Sequence, residues 1–576
     1  MASRGRTRSR TRAAKKASSS KKSASGGKRA AKVKPDARQK PIEVRGSSRA
    51  RAKGAVRLRD ATASSPVYVT ITLRGPKLPD VSTLGAASRN MNRGFRASKS
   101  DADKVAAVLR GFGLSIDEVS LETRSMCVSG TVAQMEAAFH PNLGIYQSAA
   151  QPEFRDREGD YTVPASIRKI VTSVLGFGER QVAHRRPARA RAARARRLHA
   201  FAPADIEGHY RFPLGRGAGE KIAIAEFGGG YFAEDLVKYC RKFGRAVPTV
   251  KTISIDMPVR NLTQIKRLKK ARAKEEIDLS GEVMMDVQVV AGLCPEAEIS
   301  LYFAKDHQKG WVDLLNRVIQ DRPVALSISW GAAEDGGDWS PAARNAINER
   351  LQIAALMGIT VCCASGDDGS GDMQTDRDAH VDFPSSSPFA LAVGGTMITH
   401  QAGKSLEQVW RVGKGKRIHD VGGSTGGGVS AIFPRQKWQN VSVKSVNRKS
   451  IDGRVVPDIT ALAGPPMYDL IFQTKRSIGG GTSASAPLLA ALIARVNALL
   501  PQRKRQRCLT PLLYRSTSSG VPLGRLVCHD ITVGNNVSLP KPGVGYQAGV
   551  GFDAASGWGT PIGTSLLLAL QGIGGR

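Results

Sequence analysis

Apolar and polar positions change their rhythm twice along the chain. Val67–Leu73 (VYVTITL) alternates like a strand, and Asp101–Phe112 has helical spacing with Ser100 or Asp101 as its cap. Two short strand-like pieces follow, around Val119–Thr123 and Met126–Ser129. A helical segment at Val132–Phe139 and an apolar run at Ile167–Leu175 close the set. This β-α-β-β-α-β order predicts a ferredoxin-like α+β domain over residues 64–179. From Phe201 onward apolar strands alternate with helices. The strands are Lys221–Phe227, Glu298–Phe303, Ala325–Ser329, Thr360–Ala364 and Ala390–Val393. The helices are Glu234–Phe243, Glu282–Ala291, Trp311–Gln320 and Ala343–Leu356. That pattern predicts a mostly parallel sheet covered on both faces, with functional groups at the carboxyl ends of its strands.

Charge divides the chain further. Of the formal net charge of +37, residues 1–60 carry +18, from 21 Lys/Arg and three acids (Asp36, Glu43, Asp60). The run from His184 to Ala200 adds seven Arg and no acid. The predicted organisation is therefore a basic disordered tail over 1–63, the small domain over 64–179, an Arg-rich linker over 180–200 and an α/β domain over 201–576. An exposed linker of this kind is where proteolytic nicking concentrates. The tail's charge suits a nonspecific anionic partner, nucleic acid included, or no fixed partner at all. No apolar stretch in the first 60 residues resembles a signal-peptide core, and no later run reaches the roughly 18 residues a membrane span needs. Seven scattered cysteines (127, 240, 294, 362, 363, 508, 528) without a CxxC pair argue against a disulfide framework and against a zinc site.

The strongest chemical signal is Gly479–Pro487 (GGGTSASAP), which opens an apolar helix. A serine there, Ser483, gains from the positive end of the helix dipole, as does an oxyanion beside it. Pro487 is expected in the first turn, where its missing N–H costs little. The string matches the subtilisin-like nucleophile region. Yet none of the nine histidines sits in the His-Gly-Thr-His context that those enzymes use. A different base is at hand in GEVMMDVQVV (281–290), where Glu282 and Asp286 stand at i and i+4 on one helical face, roughly 5–6 Å apart at Cβ. Two carboxyls that close share a proton and titrate as a unit. A third acid, Asp367, follows the apolar strand TVCCA in SGDDG (365–369), with Asp368 beside it as a turn residue.

The order Glu-Asp-Asp-Ser, with IAIAEFGGGY, SISWG, HVDFPSSSP, GGSTGGGVSAIFP and the terminal HDITVGNN…YQAGVGFDAASGWGTPIG, resembles the sedolisin family, its kumamolisin-like members in particular. VSGTVAQMEAAF and VPASIRKIVTSVLGF are similar to that family's inhibitory propeptide. The resemblance implies a subtilisin-like domain behind a ferredoxin-like prodomain, and a self-processing endopeptidase that works at acid pH, outside the cell. Ser483 would be the nucleophile, Glu282 its base, Asp286 the residue that tunes Glu282, and Asp367, protonated, an oxyanion donor. Glu226 and Trp330 match positions extending this network. One calcium ion would be held by Asp530 and Asp553 with the carbonyls of Ile531, Gly549 and Gly551. The chain departs from the family in its basic tail, in a short Leu84–Phe95 region, and in a basic stretch at 262–277 (LTQIKRLKKARAKEEI) just before Glu282. The alternatives are a nucleic-acid-binding protein, which leaves the four ordered motifs unexplained, and an inactive scaffold on a peptidase fold, against which the four intact positions argue.

Overall fold

Alternation in strand Pro66–Leu73 (β1) sends Val67, Val69, Ile71 and Leu73 into the core of the small domain, while Thr70 and Thr72 are buried on the opposite face. The computed structural model describes residues 40–83, 94–149, 151–183, 188–189, 199–401, 404–413, 423–449, 451–502, 505, 508–538 and 543–572. Helix α1 (Lys99–Gly111) starts at Ser98, whose side chain accepts the N–H of Asp101. Strands β2 (Ser115–Ser120) and β3 (Ser125–Thr131) lead into α2 (Val132–Phe139), which a Thr131/Gln134 capping box starts. With β4 (Val171–Leu175) they form an antiparallel sheet of order β2-β3-β1-β4, the ferredoxin-like arrangement.

The second domain is built on strands β5 (Lys221–Glu226) and β6 (Val250–Ser254), helix α3 (Lys270–Leu293), β7 (Glu298–Phe303), α4 (Gln308–Asp321), β8 (Ala325–Ile328), α5 (Pro341–Leu356), β9 (Thr360–Ala364), β10 (Leu391–Gln401), β11 (Lys404–Val409) and β12 (Ile459–Leu462). The sheet order is β6-β7-β5-β8-β9-β10-β11, with β12 beside β10, and only β10–β11 is antiparallel. Along β5, Ile222 and Ile224 face one core with α3, and Ala223 and Ala225 face another with α4 and α5. A hairpin, β13 (Met467–Phe472) and β14 (Lys475–Gly480), then delivers the chain to α6 (Thr482–Leu499). By length and composition α6 could cross a membrane, contrary to the sequence expectation. It is the central helix of the domain, with 89% of its residues buried, and a helix apolar on most of its circumference is what such a position requires.

The connection between the two domains touches this hairpin on both edges. Ala188–Arg189 pairs antiparallel with β14, Ala188 opposite Gly480 and Arg189 opposite Gly479, and Ala200–Phe201 runs parallel to β13. The rest of the Arg-rich run, 184–187 and 190–198, lies outside the described residues, as do residues 84–93 of the short Leu84–Phe95 region. Residues 40–63, grouped by composition with the tail, are ordered. Pro41–Glu43 pairs with Thr162–Pro164, and Val56–Asp60 pairs with Gly144–Gln147. Residues 1–39 lie outside the described set. Charge averaged over 60 residues hid the apolar Val44 and Ala55, which are buried. The basic stretch at 262–277 forms helix Leu262–Lys266 and the first turns of α3, so the helix carrying Glu282 begins twelve residues earlier than its apolar pattern indicates.

Candidate active site

Ser483 is the second residue of α6, so its N–H is one of the first-turn donors that a helix leaves unpaired. The turn that presents it needs glycine. Gly481 has φ +93°, and a Cβ there would fall 2.5 Å from Asp367 Oδ2. Pro487 is not in the first turn but at the sixth helical position, a correction with a structural consequence. In an α-helix the N–H of residue 487 would bond the carbonyl of residue 483. Proline has none, and the hydroxyl of Ser329 stands 3.0 Å from that carbonyl oxygen instead. Ser483 Oγ lies 3.4 Å from the Ser329 carbonyl, and among the described residues no histidine bonds to it.

Helix α3 packs along α6 and brings Glu282 and Asp286 to the same region, both buried. Ser329 Oγ lies 2.5 Å from Asp286 Oδ2. Burial pushes the Asp286 carboxyl well above the usual range, and the neighbouring Glu282 and Glu226 push it the same way, against the Ser329 bond. Glu226, the last residue of β5, is likewise pushed well up by burial and by Glu282, opposed by its bond from Trp330 Nε1 at 3.2 Å. A hydroxyl has one proton to give. Ser329 Oγ stands within donating distance of both Asp286 Oδ2 and the Ser483 carbonyl, so its single proton serves one of the two at a time and the hydroxyl bridges them. Ser329 and Thr482 escaped the sequence reading, although SISWG and GGGTSASAP were both singled out. Nothing in their spacing distinguishes a serine that bonds a carboxyl from one that ends a strand.

Asp367 sits three residues beyond β9. Its Oδ1 accepts from Thr482 N at 2.8 Å and from Thr482 Oγ1 at 2.7 Å. The glycine-rich segment after it packs on the same turn, with Ser424 N bonding Asp367 O and Gly426 N bonding Gly366 O, both at 2.9 Å. Asp368 follows at the entrance to a short 3-10 turn. The structure thus gathers Ser483, Glu282, Asp286, Asp367, Glu226 and Trp330 around the carboxyl ends of β5, β8 and β9 and the start of α6.

The remaining candidates lie in the carboxyl-terminal loops. Asp530 Oδ2 accepts from Gly551 N at 2.7 Å, Asp553 Oδ2 from Gly549 N at 2.9 Å, and Ser556 Oγ lies 3.2 Å from the Ile531 carbonyl. All five residues therefore converge. Asp530 Oδ1 is buried with no hydrogen-bond partner among the described residues, and burial pushes Asp553 up. Buried oxygen donors lacking a positive partner fit a hard cation. Among the described residues no cluster of three or more His, Cys, Asp or Glu side chains exists, so a cation here would rely on main-chain carbonyls.

Comparison with known proteins finds relatives of both domains. Residues 275–551 match the subtilase family, and residues 53–180 match the pro-kumamolisin activation domain. The chain is 35% identical to kumamolisin of Bacillus sp. (strain MN-32) over 555 residues, 91% of this chain and 95% of that protein. It is 26% identical to tripeptidyl-peptidase sed5 of Aspergillus fumigatus over 92% of this chain and 97% of the relative. It is 25% identical to sedolisin of Pseudomonas sp. (strain 101) over 89% and 88%. Among solved structures, Pseudomonas sedolisin, a serine-carboxyl proteinase complexed with two molecules of pseudo-iodotyrostatin, superposes with a TM-score of 0.55 at 23% identity. The match covers 66% of this chain and 99% of that one, a likeness of fold.

Proposed function

Because the chain belongs to the kumamolisin and sedolisin family of serine-carboxyl peptidases, and is a serine-type peptidase made as a zymogen, we propose that it cleaves protein substrates at acid pH through an acyl-enzyme on Ser483. The observation that carries this reading is the buried carboxyl group of three, Glu226, Glu282 and Asp286, linked through Ser329 to the helix turn that bears Ser483.

In this reading Glu282 takes the Ser483 hydroxyl proton as Oγ bonds to the scissile carbonyl carbon. The carbonyl oxygen becomes an oxyanion facing Ser483 N–H and the Asp367 carboxyl. Since Asp367 Oδ1 already accepts two bonds from Thr482, donation falls to its other oxygen, which must carry a proton. Collapse breaks the C–N bond, and Glu282 returns its proton to the leaving amine. Water then attacks the ester, with Glu282 as base again, and the acid product and free Ser483 are released. Ser329 bridges Asp286 and the Ser483 carbonyl, so the nucleophile's turn is fixed while Glu282 exchanges protons with substrate. Trp330 fixes Glu226, whose role is to keep a shared proton beside Glu282.

The inhibitory unit in this reading spans at least residues 53–179, earlier than the start at 64 expected from the sequence because Val56–Asp60 pairs with Gly144–Gln147; the activation linker is 180–200 and the peptidase 201–576. Linker strand Ala188–Arg189 beside β14 supports self-cleavage there, because it lies as an added strand three residues before the turn of Ser483. One calcium ion would be held by Asp530 and Asp553 with the carbonyls of Ile531, Gly549 and Gly551, where it would neutralise the two carboxylates. The family resemblance favours an extracellular or acid compartment. The test is hydrolysis of a denatured protein by acid-incubated chain across pH 2–8, beside Glu282→Gln. The reading requires activity confined to acid and a loss of several orders of magnitude in the variant. Equal activity of the two proteins would refute it.

A further inference from the structure

The ordered residues ahead of the ferredoxin-like domain touch both domains. On one side they belong to the prodomain. Val44 is buried in its core and donates its N–H to Tyr161 O at 3.1 Å. Arg49 and Gly159 exchange main-chain bonds at 3.1 and 2.9 Å, and Arg157 donates to Ser47 O at 2.6 Å. On the other side the carbonyl of Gly46 accepts the N–H of Ala342, at 2.9 Å, in the peptidase domain. Ala342 is in the first turn of α5. There Ser340 already serves the N–H of Ala343 at 3.2 Å, so Gly46 takes a donor that the helix itself leaves unpaired.

A buried charged trio ties this contact down. Asp156 lies between Arg49, at 3.1 Å, and Arg180, at 3.8 Å, with all three side chains almost wholly buried. Arg180 uses its remaining nitrogens to span the two domains, donating to Ala50 O at 3.1 Å and to Gly337 O of the peptidase domain at 3.3 Å. Asp156 is the carboxylate the two buried guanidinium groups share, and removing it would leave both without that counter-charge. Gly46 itself has φ +75°, and a Cβ there would stand 3.1 Å from Pro341 Cβ. The far half of α5 meets the prodomain again, with Arg350 donating to Thr123 O at 2.8 Å and Glu349 pairing with Arg124 at 2.8 Å. The helix is held at its start and near its middle.

We propose that residues 40–52, ahead of the matched activation domain, form a strap that binds the amino-terminal end of α5 directly through Gly46 and holds Arg180 against the turn at Gly337, and so belong to the inhibitor. This rests on the zymogen reading above. While the linker is intact the strap adds a second point of attachment. Once the linker is cut it is part of what keeps the severed prodomain seated, and its loss speeds release.

The test removes catalysis from the question. A site-specific protease sequence is placed at residue 192 in a Ser483→Ala full chain, the linker is cut, and prodomain release is followed by gel filtration over time. Gly46→Val, which adds bulk against Pro341, and deletion of residues 1–52 should each raise the release rate about tenfold or more, the scale of one or two lost interfacial bonds. Release at the unaltered rate in both overturns the strap. Should the deletion chain fail to accumulate, Gly46→Val decides alone. The peptidase reading is judged separately, on Ser483-intact chains, and its failure would leave this result standing.

Discussion

Pro487 lies four residues beyond Ser483 in the same helix and leaves its carbonyl without a helical N–H, and Ser329 Oγ fills the gap at 3.0 Å. One proline thereby couples the backbone of Ser483 to a buried carboxyl one hydroxyl away.

Ser329→Ala should cut kcat by about tenfold to a hundredfold, the cost of one or two bonds to buried groups. It should also shift the pH profile of kcat/KM, because Asp286 loses the partner that opposes its upward shift. A packing role alone would lower stability and leave the profile where it was.

A buried carboxyl gives a second test, on stability. Glu334 is pushed up to about 7, chiefly by burial, while its oxygens accept from Ser430 Oγ and Ala431 N. A raised acid binds its proton more tightly when folded. Its contribution is therefore present below the unfolded value near 4.5 and is lost as pH rises toward 7. Glu334→Gln should raise the Tm of the mature enzyme at pH 8, by a stability of about 3 kcal/mol at most, and change little at pH 4. His380 works alongside it. Its bonds to Asp335 and Asp376 outweigh burial and raise it to about 9. That contribution is complete below about 6.5 and fades as pH climbs through 9. Both effects favour the acid side, and melting curves of the two proteins from pH 4 to 9 measure them.

Much of this was legible in the residues, and the misses have physical reasons. Strands β5, β7, β8 and β9 announce themselves because a sheet buried on both faces demands unbroken apolar runs. Val250–Ser254, on the sheet edge, is half polar and was missed. Glu282, Asp286, Asp367 and Ser483 stood out by type and spacing. Ser329 and Thr482 did not, because their roles depend on contacts across 154 and 115 residues of chain. Val44 was lost among its charged neighbours, since composition averages over residues while burial selects them one by one.

Calcium removal should destabilise the carboxyl-terminal loops. Binding to the folded state alone contributes about 2.7 kcal/mol at a hundredfold excess over Kd. Chelation should lower the Tm of the mature form by several degrees, and Asp553→Ala should lower it without further response to chelator. An unchanged Tm, with no calcium by elemental analysis, would remove the site.

Self-processing makes its own demand. At acid pH the unaltered chain should be cut within residues 184–200, and Ser483→Ala should remain full length on a denaturing gel. Maturation of Ser483→Ala at the unaltered rate, in the absence of added protease, would contradict it.

The central claim is that Asp367 acts as a protonated oxyanion donor beside Ser483, and the pH profile of kcat/KM for the unaltered enzyme, Asp367→Ala and Asp367→Asn tests it most directly. Loss of one oxyanion donor costs roughly 10²–10³ in turnover, so Asp367→Ala should fall by that much at the optimum. Asparagine donates without needing a proton. Asp367→Asn should therefore keep more activity than the alanine variant, and its decline with rising pH should begin later than in the unaltered enzyme. Near-normal turnover of Asp367→Ala at the optimum would contradict the account and leave Asp367 a turn residue that anchors Thr482.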